Sequence, residues 1–414
     1  DLKSSWQKQI EGFSGLENSD LPEHGTEVKV FGKVKANHLE LLEKIKGYGF
    51  NGEILQDFRR QIVHRSVQMG MVAMAEATSG IKITDEEGKL NKKLDPNRIG
   101  IFTGDVLAGA ADIGADEKTV LERGRADARS IRKVDPATMA TVPSRYLKTH
   151  GPALNIVTAC SSGTDAIHAA AQSVRDGRIK IGIVIGADAF IMRPIMTKYF
   201  EALIASAETK VGALSKESDP LKALRAYDKN PTGTVIGEGA GAIIIGTEEM
   251  LQLLQLKSKA LLAGWGSAAD GDHPTNPNGK GTELSLHEAL IMARVLRGPG
   301  YMNGHGGGTG GDAYELKALY DTFWQYKLHK LAAINSTKAS TGHMWGAAGS
   351  WESIVAIMAL NEGIIPPMLN SVTPLVDFIE FARNEALVRE LEWTGSTNTG
   401  LGGQTATVLY KRAA

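Results

Sequence analysis

Three side chains able to do covalent or acid–base chemistry stand where short apolar runs give way to small residues: Cys160, His305 and His343. Cys160 closes the run Leu154-Asn-Ile-Val-Thr-Ala-Cys160 and precedes Ser161, Ser162 and Gly163. Ile167, Ala170, Ala171 and Val174 then recur at helical spacing, so the cysteine falls where a strand turns into a helix. Unpaired N–H groups and the positive end of the helix dipole favour a thiolate there, and the small neighbours admit a substrate carbonyl. This is a nucleophile elbow with sulfur in place of oxygen. A lone cysteine is also commonly a buried structural residue, and this stretch alone does not separate the two readings.

His305 ends Tyr301-Met-Asn-Gly-His305 ahead of a glycine-rich loop, and His343 ends Asn335-Ser-Thr-Lys338-Ala-Ser-Thr-Gly-His343. Most of the 10 histidines, His168 and His287 among them, read as ordinary hydrogen-bonding residues. A cysteine with two histidines can serve hydrolysis, acyl transfer or carbon–carbon bond formation. A cysteine hydrolase needs one histidine and an orienting Asn or Asp. A second histidine suits a reaction in which a separate negative charge, such as an enolate, must be stabilised.

The elements that hold these residues alternate. Strands are predicted at Val28–Val34, Arg98–Gly104, up to Val157, Ile181–Ile185, Thr234–Ile245, Leu331–Ile334 and Thr405–Tyr410. Between them run helices over about Gly52–Thr78, from Cys160 to a stop at Gly177, over Asp312–Trp324, and to about Asn361 with Ala347, Trp351, Ile354, Val355 and Met358 on its apolar face. Residues 105–150 read as helical and irregular by turns, and Phe190–Ala226 as a loop-rich excursion over the site. Alternation of this kind predicts an α/β fold. A polar strand end leads into a small-residue helix in each half, with Cys160 in one and Lys338 and His343 in the other, which hints at duplication. The glycine-rich lead-in at Thr234–Gly241 has no helix after it and no Walker lysine, so close strand packing explains it better than phosphate binding. Arg59, Arg60 and Arg65 read as a solvated helix face, with docking of an acidic partner as the alternative.

Composition bounds the rest. A chain of 414 residues with 42% hydrophobic content can bury a large core, and a formal net charge of −1 gives no field for nucleic acid or membrane. A single cysteine excludes a disulfide framework and a cysteine-based zinc site, and is compatible with a reducing compartment. No run is long enough to cross a membrane as a helix.

Taken together, the motifs resemble those of the β-ketoacyl-acyl-carrier-protein synthases of the elongating, Cys-His-His type. Thr158-Ala-Cys-Ser-Ser-Gly163 is similar to the nucleophile motif, and Tyr301–Gly306 with Asp312 and Glu315 to the first-histidine motif. Ser336–His343 with Gly346-Ala-Ala-Gly349 resembles the lysine and second-histidine motif, and Asn398 with Gly400-Leu-Gly-Gly403 the C-terminal glycine loop. Tyr227-Asp228 to Gly239 and Asp270 to Pro277 match further segments, so the resemblance runs in family order along nearly the whole chain.

The resemblance implies a five-layered αβαβα thiolase-like fold of two similar halves, 1–250 and 251–414, working as a homodimer, with a heterodimer of related subunits as the alternative, in the cytoplasm or an organelle. A family strand and turn would precede Asp1. It implies that an acyl group moves from acyl carrier protein onto Cys160, and that a malonyl-carrier protein is decarboxylated and condensed with it to give a 3-oxoacyl product. His305 and His343 would stabilise the enolate, and Lys338 would orient His305 through Glu315. Backbone N–H groups of Cys160 and Leu401 would form the oxyanion hole, with Leu401, Thr399 and Gly402 in the gating loop. Thr275, Thr309 and Asn398 would contact the phosphopantetheine arm, and Arg59, Arg60 and Arg65 the carrier protein. No metal or diffusible redox cofactor is implied.

Three departures stand out. Gly307 replaces the usual Thr in a loop one residue short before Asp312, Leu401 replaces a gating aromatic, and Asn230-Pro-Thr-Gly233 replaces a charged turn. A thiolase would need a second cysteine, an initiating enzyme would carry Asn in place of His343, and a non-catalytic chain-length partner would lack Cys160. A ketosynthase of a type II polyketide pathway is the serious alternative.

Overall fold

In a computed structural model, residues 1–18, 29–59, 63–106, 109, 120–125, 131–189, 191, 214–273, 276–294, 297–330 and 332–413 are described. The first half is built from α1 (Glu53–Arg59), α2 (Arg65–Ser79), β1 (Ile99–Gly104), α3 (Thr138–Leu147), β2 (Ala153–Ile156), α4 (Ser162–Arg175), β3 (Ile181–Asp188) and β4 (Gly239–Gly246). The second half comprises β5 (Leu261–Ala269), α5 (Lys280–Met292), β6 (Gly300–Asn303), α6 (Asp312–Gln325), β7 (Ala332–Asn335), α7 (Ala348–Glu362), β8 (Glu380–Phe381), β9 (Trp393–Thr399) and β10 (Gln404–Lys411).

Two sheets result. The first has strand order β2-β1-β3-β4, with β1 parallel to β2 and β3 and β4 antiparallel to β3. The second runs β8-β7-β6-β9-β10-β5, with β6 parallel to β7 and β9 and β10 antiparallel to β9. The core order β7-β6-β9-β10 repeats β2-β1-β3-β4 in sequence and direction, so the duplication hinted at in the sequence is present in the topology. The nucleophile turn follows β2 as the Lys338–His343 segment follows β7.

Helices α4 and α7 lie between the sheets, α4 touching β1 and β3 on one side and β5 and β10 on the other, α7 touching β4 and β9. Outside them, α2 and α3 cover the first sheet, and α5 and α6 the second. The outcome is five layers, αβαβα. Strands such as β1 and β3, buried at every residue, are near-continuous apolar runs because both faces are covered.

Several expectations need correction. The helix expected over Gly52–Thr78 is two helices, because His64 adopts an extended conformation and starts α2 as its N-cap. The Val28–Val34 strand shortens to Val30–Phe31. On α7 the deepest stripe holds Glu352, Val355, Ala356 and Ala359; of the expected face Ala347 and Val355 are buried, whereas Trp351, Ile354 and Met358 are half-buried. A helix sandwiched by two sheets has no polar side to mark its phase. Strand β9 was not anticipated. The Phe190–Ala226 excursion falls largely outside the described residues, as does Leu331.

Candidate active site

The nucleophile turn is tight and dry. Cys160 is buried, Ala159 before it has φ +54°, and α4 begins two residues later. The C-terminal glycine loop presses on this turn. A Cβ on Gly400 would lie 2.9 Å from the Thr158 carbonyl oxygen and 3.3 Å from the Cys160 nitrogen, so the close approach requires glycine. The backbone N–H groups of Leu401 and of Cys160 itself favour the charged form of the sulfur. Phe31, Ile191, Leu214, Ile236 and Trp345 pack around Cys160, with Leu401 and Val106 at the margin.

The expected thiolate is corrected here. Burial pushes the Cys160 thiol up to about 12, outweighing the charge of Lys338 and the two backbone N–H groups that act the other way. The resting site holds a neutral thiol.

His305 and His343 meet edge to face, with ring centroids 5.0 Å apart, and His343 stacks on Trp345 at 5.1 Å. The Thr399 N–H donates to His305 Nδ1 at 3.4 Å, and the Trp345 N–H donates to His343 Nδ1 at 3.3 Å. Each neutral ring therefore carries its proton on Nε2. Burial first, then the Lys338 charge, hold both imidazoles well below their ordinary pKa, with His343 adding to the effect on His305. His343 Nε2 is buried with no hydrogen-bond partner among the described residues, a donor left for a substrate atom.

The backbone of each histidine is fixed separately. Glu315 accepts the N–H groups of His305 at 2.6 Å and Gly306 at 2.9 Å, together with the Tyr227 hydroxyl at 2.9 Å. Asp312 accepts N–H groups from Tyr227, Gly307, Gly308 and Thr309. Burial pushes these carboxyls up, Glu315 to about 7 and Asp312 to about 6. His343 is held by the glycine-rich segment ahead of β4: its N–H donates to the Val235 carbonyl at 2.7 Å and its carbonyl accepts from Gly237 at 2.9 Å. Close packing is thus what that segment does.

Lys338 does not act through Glu315. Its Nζ donates to the His305 carbonyl at 2.6 Å and pairs with Glu352 at 2.5 Å, both side chains almost wholly buried. Glu315 already has its oxygens filled by backbone donors and Tyr227, which leaves Glu352 as the counter-ion. Glu352 was missed in the sequence; its signal is a carboxylate in the second turn of a largely apolar helix.

Asn398 is also corrected. It is fully buried, donating to Glu352 at 2.5 Å and accepting from Thr164 at 2.6 Å, so it supports the ion pair and is closed to a pantetheine arm. Thr309 is half-buried and its Oγ1 accepts from the Gly311 N–H at 3.2 Å. Thr399 ends β9 and Gly402 lies in the glycine loop that follows, both half-buried. A Cβ on Gly307 would sit 3.7 Å from His305 Nε2 in ordinary contact, so the departure from Thr leaves room beside that ring. Arg59 is exposed, whereas Arg65 turns inward to the Val34 carbonyl at 2.8 Å and to Glu238 at 3.4 Å, which removes it from the docking set. Arg60 and Thr275 lie outside the described residues. Among the described residues no group of three or more His, Cys, Asp or Glu side chains is placed to hold a metal ion.

A cysteine and two histidines at corresponding strand ends of a duplicated, five-layered α/β core define a thiolase-like enzyme fold. The sequence matches the family described as "Beta-ketoacyl synthase, N-terminal domain" over residues 1–250 and "Beta-ketoacyl synthase, C-terminal domain" over 259–372. The chain belongs to the beta-ketoacyl synthase family. It is 28% identical over 432 residues to the 3-oxoacyl-[acyl-carrier-protein] synthase 2 of Vibrio harveyi, covering 100% of this chain and 95% of that one. It is 27% identical over 419 residues to the enzyme of the same name from Staphylococcus aureus (strain COL), covering 100% and 94%. A beta-ketoacyl synthase from Burkholderia phymatum STM815 has the same fold, with TM-score 0.83 at 20% identity, covering 100% and 96%. So does the ishigamide ketosynthase/chain length factor, with TM-score 0.81 at 21% identity, covering 100% and 95%.

Proposed function

We propose that this protein is a 3-oxoacyl-[acyl-carrier-protein] synthase that elongates acyl chains by decarboxylative condensation. The observation that carries the reading is the pair of neutral imidazoles beside a buried thiol, each with Nδ1 occupied by a backbone N–H and Nε2–H left to donate. The glycine loop supports both parts at once, since the Thr399 N–H bonds His305 and the Leu401 N–H favours charge on the sulfur.

In the first stage Cys160 Sγ attacks the carbonyl of an acyl thioester on acyl carrier protein. The N–H groups of Cys160 and Leu401 receive the developing oxyanion. The carbon–sulfur bond to pantetheine breaks, and the thiol proton leaves on the pantetheine sulfur, so no net proton is taken up. The apolar surround of Phe31, Ile191, Leu214, Ile236 and Trp345 suits an alkyl chain. In the second stage a malonyl thioester loses carbon dioxide. The two Nε2–H groups stabilise the enolate oxygen, and the enolate carbon attacks the acyl-cysteine carbonyl and expels the Cys160 thiolate, which takes up one proton from solvent to restore the thiol. Imidazoles held neutral well below their ordinary pKa donate without adding a cation to the pocket. Exposed Arg59 contributes to docking the acidic carrier protein. Residues 1–250 and 251–414 supply the two halves.

A homodimer fits the edge of the first sheet. Among the described residues β2 is paired on one side only, and Leu154 and Val157 at that edge are 49% and 53% exposed. No helix of the described residues is long and apolar enough to cross a membrane.

The test is intact mass after incubation with medium-chain acyl-carrier protein. The expected gain equals one acyl group, is absent in Cys160→Ala, and is discharged by malonyl-carrier protein. Failure to take up any acyl chain over a range of lengths overturns the reading.

A further inference from the structure

The condensation described above uses Cys160 and two histidines, but the nucleophile turn has a carboxylate beneath it to which no role has yet been assigned. Asp165, in the first turn of α4, is largely buried. One of its oxygens, Oδ2, accepts the Thr158 hydroxyl at 2.6 Å and the Ser161 hydroxyl at 3.0 Å. The other, Oδ1, accepts the Ser267 hydroxyl at 2.7 Å, from β5 of the second half. Thr158 and Ser161 bracket Ala159 and Cys160. Ala159 has φ +54°, a left-handed conformation that a residue with a Cβ adopts only when its surroundings enforce it.

We infer that Asp165 is a positioning residue for the reaction: it clamps both sides of the nucleophile turn and ties that turn to the second half of the molecule. Two local links complete the clamp. The Ser161 hydroxyl shares its one proton between Asp165 Oδ2 and the Thr158 carbonyl, the latter at 2.8 Å, and the Ser162 hydroxyl accepts the Thr158 N–H at 2.9 Å. Those links close the turn on itself, whereas the carboxylate ties it by a hydrogen bond to β5, the strand that pairs with β10 beyond the glycine loop. The oxyanion hole needs the Cys160 N–H from the turn and the Leu401 N–H from that loop, so the register between the halves sets its geometry. A misplacement of about 1 Å at such a site costs on the order of 100-fold in rate.

The inference rests on the proposed acyl transfer to Cys160, and the test separates the two. Asp165→Ala, Asp165→Asn and Thr158→Val are compared with wild type for acyl uptake from acyl-carrier protein, alkylation of Cys160 by iodoacetamide, carbon dioxide release from malonyl-carrier protein, and Tm. Asp165→Ala should slow acylation and alkylation on the order of 10- to 100-fold, while carbon dioxide release, which depends on the histidines, stays within about threefold of wild type, the reach of a modest shift in the neighbouring loop. Asp165→Asn keeps one acceptor oxygen for Thr158 and Ser161 and can donate to Ser267, so it should restore most of the loss. Thr158→Val removes the shortest contact at nearly constant shape and carries the test if Asp165→Ala does not fold. Acylation and alkylation at wild-type rates in Asp165→Ala, or in Thr158→Val should it stand alone, overturn the inference. So does a parallel fall of all three rates with Tm, which would mark a structural role only. A wild type that takes up no acyl group but whose alkylation still collapses in Asp165→Ala would sink the proposed function and leave the clamp standing.

Discussion

Lys338 and Glu352 form an ion pair in which the two side chains are 1% and 2% exposed, so neither charge has water to fall back on. Lys338→Met removes the cation and keeps the length of the side chain. Glu352 then retains only Asn398 as a partner, and the His305 carbonyl keeps only the weaker Ser336 hydroxyl at 3.3 Å. Breaking one side of a buried pair costs about 3–5 kcal/mol because the other charge is left uncompensated. At about 2 °C per kcal/mol for a large domain, Tm should fall by roughly 6–10 °C. Glu352→Gln should cost a similar amount for the mirror-image reason. The double variant has no stranded charge, only an amide with one unmet hydrogen bond, at about 1–3 kcal/mol. It should therefore be more stable than either single variant. Differential scanning fluorimetry of the four proteins reads this directly. Two singles within about 1 kcal/mol of wild type, or a double whose loss equals their sum, would refute the assignment of a desolvated pair. A kinetic signature accompanies it. The Lys338 charge is the second cause, after burial, depressing both histidines. In Lys338→Met the acid limb of malonyl-carrier protein decarboxylation should move to higher pH.

Two further predictions concern pH. With the Cys160 thiol pushed up to about 12, iodoacetamide alkylation should rise about tenfold per pH unit from 6 to 10 without levelling off; a plateau near pH 8 would contradict the neutral resting thiol. Acid stability depends on opposing groups. Burial holds His64, His305 and His343 below their unfolded pKa, so each lowers stability by about 1.4 kcal/mol per pH unit as pH falls below about 6.5. Glu315, at about 7, and Asp312, at about 6, are raised, bind protons more readily when folded, and add stability as pH falls through the same range. Glu315→Gln removes one of these compensating groups, so its Tm should fall more steeply than that of wild type between pH 7 and 5.5. Parallel curves would contradict this.

What could be read in advance, and what could not, follows from how each signal is written. Cys160, His305 and His343 were legible because each ends an apolar run and begins a small-residue turn, a local pattern. The α/β alternation was legible for the same reason. Strand β9 was not, since Trp393-Thr-Gly-Ser-Thr-Asn-Thr399 has no apolar alternation. Its polar side chains face buried polar partners instead, as Thr397 meets Thr407 of β10, which in turn meets Ser285 of α5. The phase of α7 was illegible because a helix between two sheets is apolar all round.

Partnerships between distant residues were the harder part. Glu315 and Glu352 are both buried carboxylates in helices that pack near Lys338, and spacing alone cannot say which one meets the ammonium. Only the fold shows that Glu315 is consumed by the His305 and Gly306 N–H groups. The same holds for the state of the sulfur. A helix N-terminus beside a cysteine argues for a thiolate while the site is imagined open. Enclosing that cysteine with Phe31, Ile191, Leu214, Ile236 and Trp345 reverses the sign. Desolvation that keeps the thiol neutral also keeps the imidazoles uncharged, and the buried Lys338 adds to the effect on both rings while pulling the thiol the other way. A site that must hold a thioester away from water and stabilise an enolate by neutral donors is served by this arrangement. The cost, a slow thiol, is offset only when the oxyanion donors of Cys160 and Leu401 are in register. That makes the alignment of the two halves across the nucleophile turn the feature on which turnover most depends.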